Sequence, residues 1–272
     1  MSTSLNLTGV PETMLWTLHN RASEARRADT YLRDPDCVHI YDAIDYDDAR
    51  NFGRPDDSHP MRSQVFDAAV RPWMQAHPGG TVVELAAGLE TQFQRCDDGQ
   101  VRWLCVDVPE AIAVLERFLQ PTQRCRHLAK RALDLTWMDD VDAARGVFVT
   151  AQGLLMYFEE ADVKRLLVAI IERFPGVEIM FDVIPPWFSR KTLEGRGFGK
   201  TKHYIAPRMP WGVSRGQVEP LLRRWSDRIR DVAVRPYGFA RGARVLLLKA
   251  CATVPGLRNV PPCIVQVRTM SR

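Results

Sequence analysis

Apolar and polar residues alternate in two ways from residue 81 onwards. Short apolar runs bounded by turn residues predict buried strands, and they occur at residues 81–85, 101–107, 124–129, 146–150 and 177–183. Between the runs, apolar residues recur at helical spacing, as with Leu166, Ile170 and Phe174. Strand and helix therefore follow each other along this part of the chain, which is typical of an α/β fold with a parallel sheet.

The pattern changes after the fifth predicted strand. Residues 185–212, rich in Pro, Gly and Trp, predict an irregular lid. A helix is expected at 215–225, and the later runs 230–234 and 244–249 are close enough in sequence to form an antiparallel hairpin. We therefore expect a doubly wound seven-stranded sheet whose last hairpin is antiparallel.

The N-terminal part is helical in pattern. Apolar residues at helical spacing predict helices at 11–28 and 61–75, and the acidic and aromatic segment 42–59 predicts a loop or a short mobile cap. The expected divisions of the chain are an N-terminal helical cap (1–76), a core that includes the lid (77–252) and a loosely ordered C-terminal tail (253–272).

Charge and composition restrict the classes of partner that the protein is expected to bind. The 37 basic and 33 acidic residues leave a net charge of +4, a balance that argues against a nucleic-acid partner. No apolar run approaches the roughly 20 residues that cross a membrane, and the first ten residues lack the pattern of a secretory signal. We expect a cytoplasmic protein with a small-molecule partner and no nucleic-acid or membrane partner; oligomeric state is not readable from the pattern.

The six cysteines are scattered along the chain, and none forms a C-x-x-C pair. This spacing argues against a disulfide scaffold and against structural zinc. A reduced compartment is therefore expected, and no metal is predicted.

The turn after the first core strand indicates the cofactor. Small residues, Ala86-Ala87-Gly88, lie between Glu84 and Glu90, and the next strand ends at Asp107. A carboxylate at that strand end suits ribose hydroxyls, because it accepts hydrogen bonds and donates none. Two carboxylates beside the turn would repel a pyrophosphate and attract a cationic amino acid. The pattern favours S-adenosylmethionine over a nicotinamide dinucleotide, although ordinary strand–helix turns also show it.

Five motifs in order extend this interpretation: Met61-Arg62-Ser63 with Phe66-Asp67, residues 83–91, Trp103 with residues 107–110, residues 151–158, and Phe174-Pro175-Gly176 with residues 181–183. Together they resemble the leucine carboxyl methyltransferase superfamily, in particular its bacterial polyketide-type (tetracenomycin-like) O-methyltransferases. The resemblance covers about residues 11 to 250. It implies a class I methyltransferase fold that binds S-adenosylmethionine, and the expected terminal hairpin fits that class better than a dehydrogenase.

The resemblance implies where the methionine part of the cofactor would bind. Arg62 would pair with the methionine carboxylate, for which a guanidinium fork is suited. Gly88, with Glu84 and Ala86 beside it, would pass close to the same part of the ligand. The alternative for Arg62 is an ordinary surface arginine on a helix.

The resemblance also implies the remaining cofactor contacts. Asp107-Val108 would hold the ribose, and Ala132-Leu133 would contact the adenine through the backbone, because Arg131 stands where an acid is often found. Gln152-Gly153 would lie near the reacting sulfonium.

Four positions depart from the family's usual residues. Ala86 replaces a frequent glycine, Glu90 an aspartate, Gln92 an arginine and Gln152 a glutamate. Glutamine keeps an acceptor oxygen but has no charge, so its attraction to the cofactor's ammonium is weaker.

Catalysis of methyl transfer depends mainly on positioning. Tyr157 is the candidate for orienting the acceptor oxygen. A carboxylate acceptor needs no base, whereas a phenol needs one, and His203 or Tyr204 in the lid are the candidates. An exposed loop histidine is the other interpretation of His203. The aromatic residues of the lid suit a flat apolar acceptor or simply pack on the sheet: Trp187, Phe188, Phe198 and Trp211.

Three functional hypotheses remain open at this point. The first is an O-methyltransferase that acts on a carboxylate or hydroxyl of a small polyketide-like or lipid-like molecule. The second is a protein C-terminal carboxyl methyltransferase, and the third is a non-catalytic protein with the same fold. A nicotinamide-dependent oxidoreductase is disfavoured because the glycine fingerprint is missing.

Overall fold

A mixed seven-stranded sheet is the centre of the computed structural model, which describes residues 3–4, 7–238, 241, 257 and 259–271. Its strands are β3 (Thr81–Leu85), β4 (Arg102–Asp107), β5 (Cys125–Ala129), β6 (Val147–Ala151), β7 (Glu178–Val183), β8 (Ile229–Pro236) and β9 (Cys263–Thr269). Two further short strands, β1 (Thr3–Ser4) and β2 (Ile44–Asp45), pair with each other in parallel. The five strands predicted from residue 81 onwards are thereby confirmed.

The strand order is β5-β4-β3-β6-β7-β9-β8. The first five strands of this order are parallel, and β9 is antiparallel to both β7 and β8. Because β3 pairs with β4 on one side and β6 on the other, the direction of winding reverses there. In such sheets, ligands bind beyond the carboxyl ends of the strands at this reversal.

Helices cover both faces of the sheet. They are α1 (Thr13–Ala25), α2 (Pro35–Ala43), α3 (Asp48–Phe52), α4 (Ser58–Ala76), α5 (Gln92–Cys96), α6 (Pro109–Leu115), α7 (Glu160–Arg173), α8 (Pro186–Leu193) and α9 (Arg215–Trp225). Side chains of a strand point alternately to its two faces. Val82 accordingly joins the core formed with α1 and α4, whereas Val83 and Leu85 join the core formed with α7 and α9.

Four predictions concern segments at the edges of the fold. Residues 263–269, assigned to a loosely ordered tail, form β9 between β7 and β8, so that prediction is wrong. The run 244–249, predicted as the last strand, lies outside the described residues. Segment 42–59 is not simply a loop, because it contains β2 and α3. Likewise the lid begins with a helix, α8. Among the described residues, no helix is long and apolar enough to cross a membrane.

A buried ionic network fixes the N-terminal helices to the sheet. The Glu90 carboxylate lies 2.8 Å from Arg21 Nη1 on α1 and 2.7 Å from Arg95 Nη1 on α5. Arg95 also donates two hydrogen bonds to Asp67 on α4 and one to Asp34, which precedes α2. Glu90 belongs to the loop after β3, so this network determines where the loop lies relative to four helices.

The electrostatics of the network favour the ionised form of Glu90. Burial alone would raise the pKa of this carboxyl, but the charges of Arg21 and Arg95 lower it to about 2 from the ordinary value of 4.5. A carboxyl with a lowered pKa stabilises the fold above its unfolded-state pKa, and this contribution is lost as the pH falls towards the folded-state pKa. The window for Glu90 therefore runs from about pH 4.5 down to about pH 2.

We expect Arg95→Met to lower the free energy of unfolding by about 3–5 kcal/mol, because buried Asp67 loses its arginine partner and Arg21 alone remains for Glu90 and Asp34. Arg124→Met is the matched control, since Arg124 pairs with Asp97 at the surface, where side chains remain 38% and 27% exposed. The control should change the free energy of unfolding by less than about 1 kcal/mol. Urea denaturation at pH 7 measures both values. Equal effects of the two substitutions would contradict the role given to the network.

Candidate functional site

A cavity of about 640 Å³ opens beyond the carboxyl ends of β3, β4, β6 and β7. Its walls come from the loop after β3, the ends of the neighbouring strands, helices α1 and α4, and the start of the lid. Eleven of the twelve residues proposed for the site line it: Arg62, Glu84, Ala86, Gly88, Asp107, Val108, Ala132, Leu133, Gln152, Gly153 and Tyr157. The remaining one, His203, does not.

The loop after β3 takes a conformation that few side chains adopt. Ala86 has φ 56° and Gly88 has φ 52°, both in the left-handed region. For a residue with a Cβ this region costs roughly 1–2 kcal/mol, so Ala86 stores strain at the floor of the cavity. At Gly88, a Cβ would lie 3.2 Å from Met14 Cβ of α1. The small residues are therefore needed for both the turn and the close approach of α1.

Asp107 holds this loop from the end of β4. Its two carboxylate oxygens accept hydrogen bonds from the backbone N–H groups of Gly88, at 2.8 Å, and Val108, at 2.7 Å. Burial raises the pKa of Asp107 to about 6, against the lowering effect of those two hydrogen bonds. At pH 7 the carboxylate is thus mostly ionised and retains lone pairs for further donors in the cavity.

Glu84 lines the cavity from the end of β3 and is buried. Oε2 accepts a hydrogen bond of 3.0 Å from Trp103 Nε1, whereas Oε1 has no hydrogen-bond partner among the described residues. Burial, followed by the charge of Glu90, raises the pKa of Glu84 to about 8. The carboxyl is therefore mostly protonated at pH 7. An unpartnered buried acceptor of this kind is costly unless a ligand donates to it.

Arg62 and Asp182 form a buried ion pair in the wall of the cavity. Arg62 Nη1 lies 3.2 Å from Asp182 Oδ2, and Asp182 Oδ1 accepts a 2.6 Å hydrogen bond from the backbone N–H of Gly153. Gly153 has φ 65°, where other residues are strained, and a Cβ there would lie 2.8 Å from Arg62 Nη1 and displace the guanidinium. Within the described part of the chain, Arg62 Nε has no hydrogen-bond partner.

Gln152 lies beside this ion pair at the end of β6. Its Nε2 donates a long hydrogen bond of 3.4 Å to Gln92 Oε1. Gln152 Oε1 has no partner among the residues that the structure describes. On the other side of the cavity, Ala132 and Leu133 form a wall that offers mainly backbone and apolar atoms, with Arg131 next to them.

The lid residues divide between the cavity and other sites. His203 is exposed on the surface, whereas Tyr204 is buried, its ring centroid 4.9 Å from that of Phe52 and 6.5 Å from that of Trp16 in the cavity wall. His203 does not line the cavity, whereas Tyr204 lies behind two residues that do, Trp16 and Tyr157, so a base from the lid stays a prediction. Of the lid aromatics, Phe188 lines the cavity, whereas Trp211 is buried against Phe181 on the opposite face of the sheet.

Among the polar cavity residues that were not predicted from the sequence are His59, Asp182 and Tyr237. Asp182 had a usable signal, because it is an acid near the end of a core strand, as Asp107 is. Burial and the neighbouring charge of Arg62 lower the pKa of His59 to about 3, so this imidazole is neutral at pH 7. Tyr237 follows β8, where local pattern gives no indication of a cavity.

Comparison with known proteins identifies the chain. Residues 15–171 match the family model described as leucine carboxyl methyltransferase. The chain is 30% identical over 216 residues to the tetracenomycin polyketide synthesis O-methyltransferase TcmP of Streptomyces glaucescens, covering 78% of each protein. It is 29% identical over 201 residues to the S-adenosyl-L-methionine-dependent methyltransferase dpfgK of Gibberella zeae, covering 65% of the chain and 67% of the relative.

Solved structures agree on the fold. The plantazolicin methyltransferase BpumL, in complex with a desmethyl analogue and S-adenosylhomocysteine, superposes with a TM-score of 0.51 at 10% identity, covering 96% of this chain and all of that one. The CurJ carbon methyltransferase gives 0.53 at 11% identity, covering 96% and 68%. Matches at such identities show the fold alone. Together with the family match, they lead to one conclusion: the chain belongs to the leucine carboxyl methyltransferase family and is an S-adenosylmethionine-dependent methyltransferase.

Proposed function

We propose that the protein transfers the methyl group of S-adenosylmethionine to an oxygen atom, in a carboxylate or hydroxyl, of a small polyketide-like or lipid-like molecule. The observation that carries the proposal is the composition of the cavity, which is polar at the strand ends and apolar towards the lid. Its apolar side is lined by Met14, Trp16, Ile184, Phe188 and Met209. Such walls suit a flat apolar acceptor.

The polar end fits the amino-acid part of S-adenosylmethionine. Glu84 Oε1 and Gln152 Oε1 are buried acceptors without partners among the described residues, and an α-ammonium group would supply donors for them. Arg62 is the cation available for the carboxylate, and its Nε is likewise unpartnered within the described part of the chain. Its existing pair with Asp182 fixes the guanidinium in position without using all five of its donors.

The nucleoside part fits the neighbouring wall. Asp107 is held by two backbone N–H groups and is mostly ionised at pH 7, which suits it to accept from ribose hydroxyls. Val108, Ala132 and Leu133 line the same side and suit the adenine. These assignments are consistent with seven of the ten cofactor-binding residues inferred from the sequence; the other three, Ala86, Gly88 and Gly153, also line the cavity.

The reaction requires little chemistry from the side chains. The cofactor supplies an activated methyl group, and the protein must align the acceptor and exclude water. Burial raises the pKa of Tyr157 to about 12, so this phenol remains protonated and acts as a hydrogen-bond donor to the acceptor. With Tyr157 protonated and His59 a very weak base, a carboxylate acceptor, which needs no deprotonation, fits the cavity better than a hydroxyl.

The structure of the cavity argues against the two other hypotheses. A peptide C-terminus would need an open polar groove, whereas the acceptor end of the cavity is largely apolar. A non-catalytic protein would have no reason to retain the strained Ala86 and the unpartnered Glu84 acceptor, since strain and unsatisfied polar groups cluster at functional sites.

The test is transfer of an isotopically labelled methyl group from S-adenosylmethionine to aromatic and fatty carboxylic acids, to phenols, and to peptides with a free C-terminus. We expect mass increases in the carboxylic acids and release of the label in mild alkali, because methyl esters hydrolyse and methyl ethers do not. Label in the phenols alone would support O-methylation and exclude the preference for carboxylates. Label on a peptide C-terminus would favour the second hypothesis. Absence of both cofactor binding and methyl transfer at millimolar cofactor would favour the third hypothesis, a non-catalytic protein.

We expect cofactor affinity to fall below pH 6, because protonation of Asp107 removes an acceptor for the ribose. At one pH unit below the pKa the ionised fraction is about one tenth, so Asp107 alone should raise the dissociation constant roughly tenfold between pH 7 and pH 5. Calorimetric titration with S-adenosylhomocysteine measures the dissociation constant. In Asp107→Asn this tenfold component should be missing, and only the pH dependence contributed by Glu84 should remain, whereas Asp97→Asn at the surface should follow the wild type. Identical pH profiles for wild type and Asp107→Asn would contradict the assignment.

We also expect cofactor binding to release about one proton near pH 7. Glu84 is mostly protonated in the free protein because its pKa is about 8, and an ammonium group beside it favours the ionised form. The binding heat should therefore differ between phosphate and Tris buffers, which have different ionisation enthalpies. Glu84→Gln, which keeps the size of the side chain, should remove most of that difference. An equal buffer dependence in both proteins would show that Glu84 does not titrate on binding.

A further inference from the structure

A cluster of two thiols and an imidazole lies in the sheet and does not line the cofactor cavity. It consists of Cys105 on β4 and of Cys125 and His127 on β5, and their candidate ligand atoms all lie within 4.8 Å of one another. Cys105 and Cys125 are buried, and only 3% of the His127 side chain is exposed. We call these three residues the thiol–imidazole cluster.

Strand register brings the cluster together. In the parallel pair β4–β5, Cys105 lies opposite His127, and Trp103 lies opposite Cys125. Residues two apart on a strand share a face, so all three side chains project from the same side of the sheet. The cluster is therefore not evident from sequence spacing, because Cys105 and Cys125 belong to different strands and are 20 residues apart in sequence.

The geometry disfavours a disulfide between the two cysteines. Their positions differ by one strand spacing, about 4.8 Å, and by two residues along the strand, about 6.6 Å. The Cα atoms are thus separated by roughly 8 Å, whereas a disulfide requires less than about 7 Å. Both cysteines are free.

We propose that Cys105, Cys125 and His127 form a binding site for a thiophilic divalent cation, Zn²⁺ being the best fit. Two thiolates and one imidazole are a common ligand set for zinc and a poor one for magnesium or calcium, which require oxygen ligands. Around tetrahedral zinc, ligand atoms are separated by roughly 3.5–3.8 Å, from bonds of about 2.3 Å to sulfur and 2.0 Å to nitrogen. The cluster reaches that arrangement by small rotations of side chains. This site departs from the expectation that the chain binds no metal.

Glu116 supplies the supporting interaction that zinc-binding histidines usually have. Its Oε1 lies 3.3 Å from His127 Nδ1, so the other ring nitrogen, Nε2, is available to a metal. Glu116 follows α6, and its side chain is 42% exposed, so a cation from solvent has a route along this carboxylate towards the imidazole.

Glu84 connects the cluster to the methyltransferase cavity. Its Oε2 lies 3.9 Å from Cys105 Sγ. Three protein ligands leave one position of a tetrahedral zinc ion open, and either this carboxylate or a water molecule can occupy it.

The test uses tag-free full-length protein and Co²⁺ as a spectroscopic substitute for Zn²⁺. We expect one equivalent of Co²⁺ to bind per chain, with a thiolate-to-cobalt charge-transfer band and the intense d–d bands of tetrahedral coordination, both removed by one equivalent of Zn²⁺. Cys125→Ser should lose the charge-transfer band or reduce it by about half. Cys96→Ser, a buried free cysteine outside the cluster, is the matched control and should behave as the wild type.

Two measurements keep the test independent of misfolding in the variants. Glu116→Gln leaves all three ligands in place and should weaken Zn²⁺ binding by roughly 10- to 100-fold, as measured by competition with a chromophoric chelator. The wild-type titration needs no variant at all. Substoichiometric binding without a charge-transfer band in the wild type, or bands that persist unchanged in Cys125→Ser, would overturn the proposal and leave the cluster as a buried hydrogen-bonded group.

Discussion

The ion pairs that bury Glu90 between Arg21 and Arg95 are the constraint on which the site depends. They connect the loop after β3 to helices α1 and α5, and through Asp67 and Asp34 to α4 and the start of α2. The strained conformation of Ala86 persists because its loop is fixed at two points: Glu90 holds one end, and the hydrogen bond from Gly88 to Asp107 holds the middle. Removing this network would therefore disturb the floor of the cavity and the helices that close it.

The same network changes the electrostatic argument for the cofactor. The sequence suggests two free carboxylates, Glu84 and Glu90, that attract a cationic ligand. In the folded protein Glu90 is neutralised by two arginines, and Glu84 is mostly protonated at pH 7 because its pKa is raised to about 8. The cofactor was predicted correctly, but long-range attraction to this pair is not the physical reason. Under the proposed function, a cationic amino acid would instead be selected by close contacts with the unpartnered oxygens of Glu84 and the adjacent Gln152.

Local pattern predicted most of the sheet and the acids at its strand ends, because both depend on residues that are neighbours in sequence. It failed where distant segments combine. Strand β9 follows two consecutive prolines, Pro261 and Pro262, which suggest a tail, and it becomes a strand only because β7 and β8 lie on either side of it. Asp182 is 120 residues from Arg62, so no spacing rule pairs them. His203 was a candidate because of its residue type; it is exposed, and its role stays a prediction.

Glu84 shows how two sites can share one carboxyl group. Its Oε1 is unpartnered among the described residues in a side chain that lines the cavity, while Oε2 accepts from Trp103 beside Cys105. A cation at the thiol–imidazole cluster would favour the ionised form of Glu84, as would an ammonium group in the cavity. Because linkage between binding free energies is reciprocal, each ligand would then strengthen binding of the other, provided that Glu84 keeps Oε1 towards the cavity. If the carboxylate instead turned to ligate the metal through both oxygens, the coupling would change sign. The sign of the coupling thus reports which way a single buried side chain is oriented.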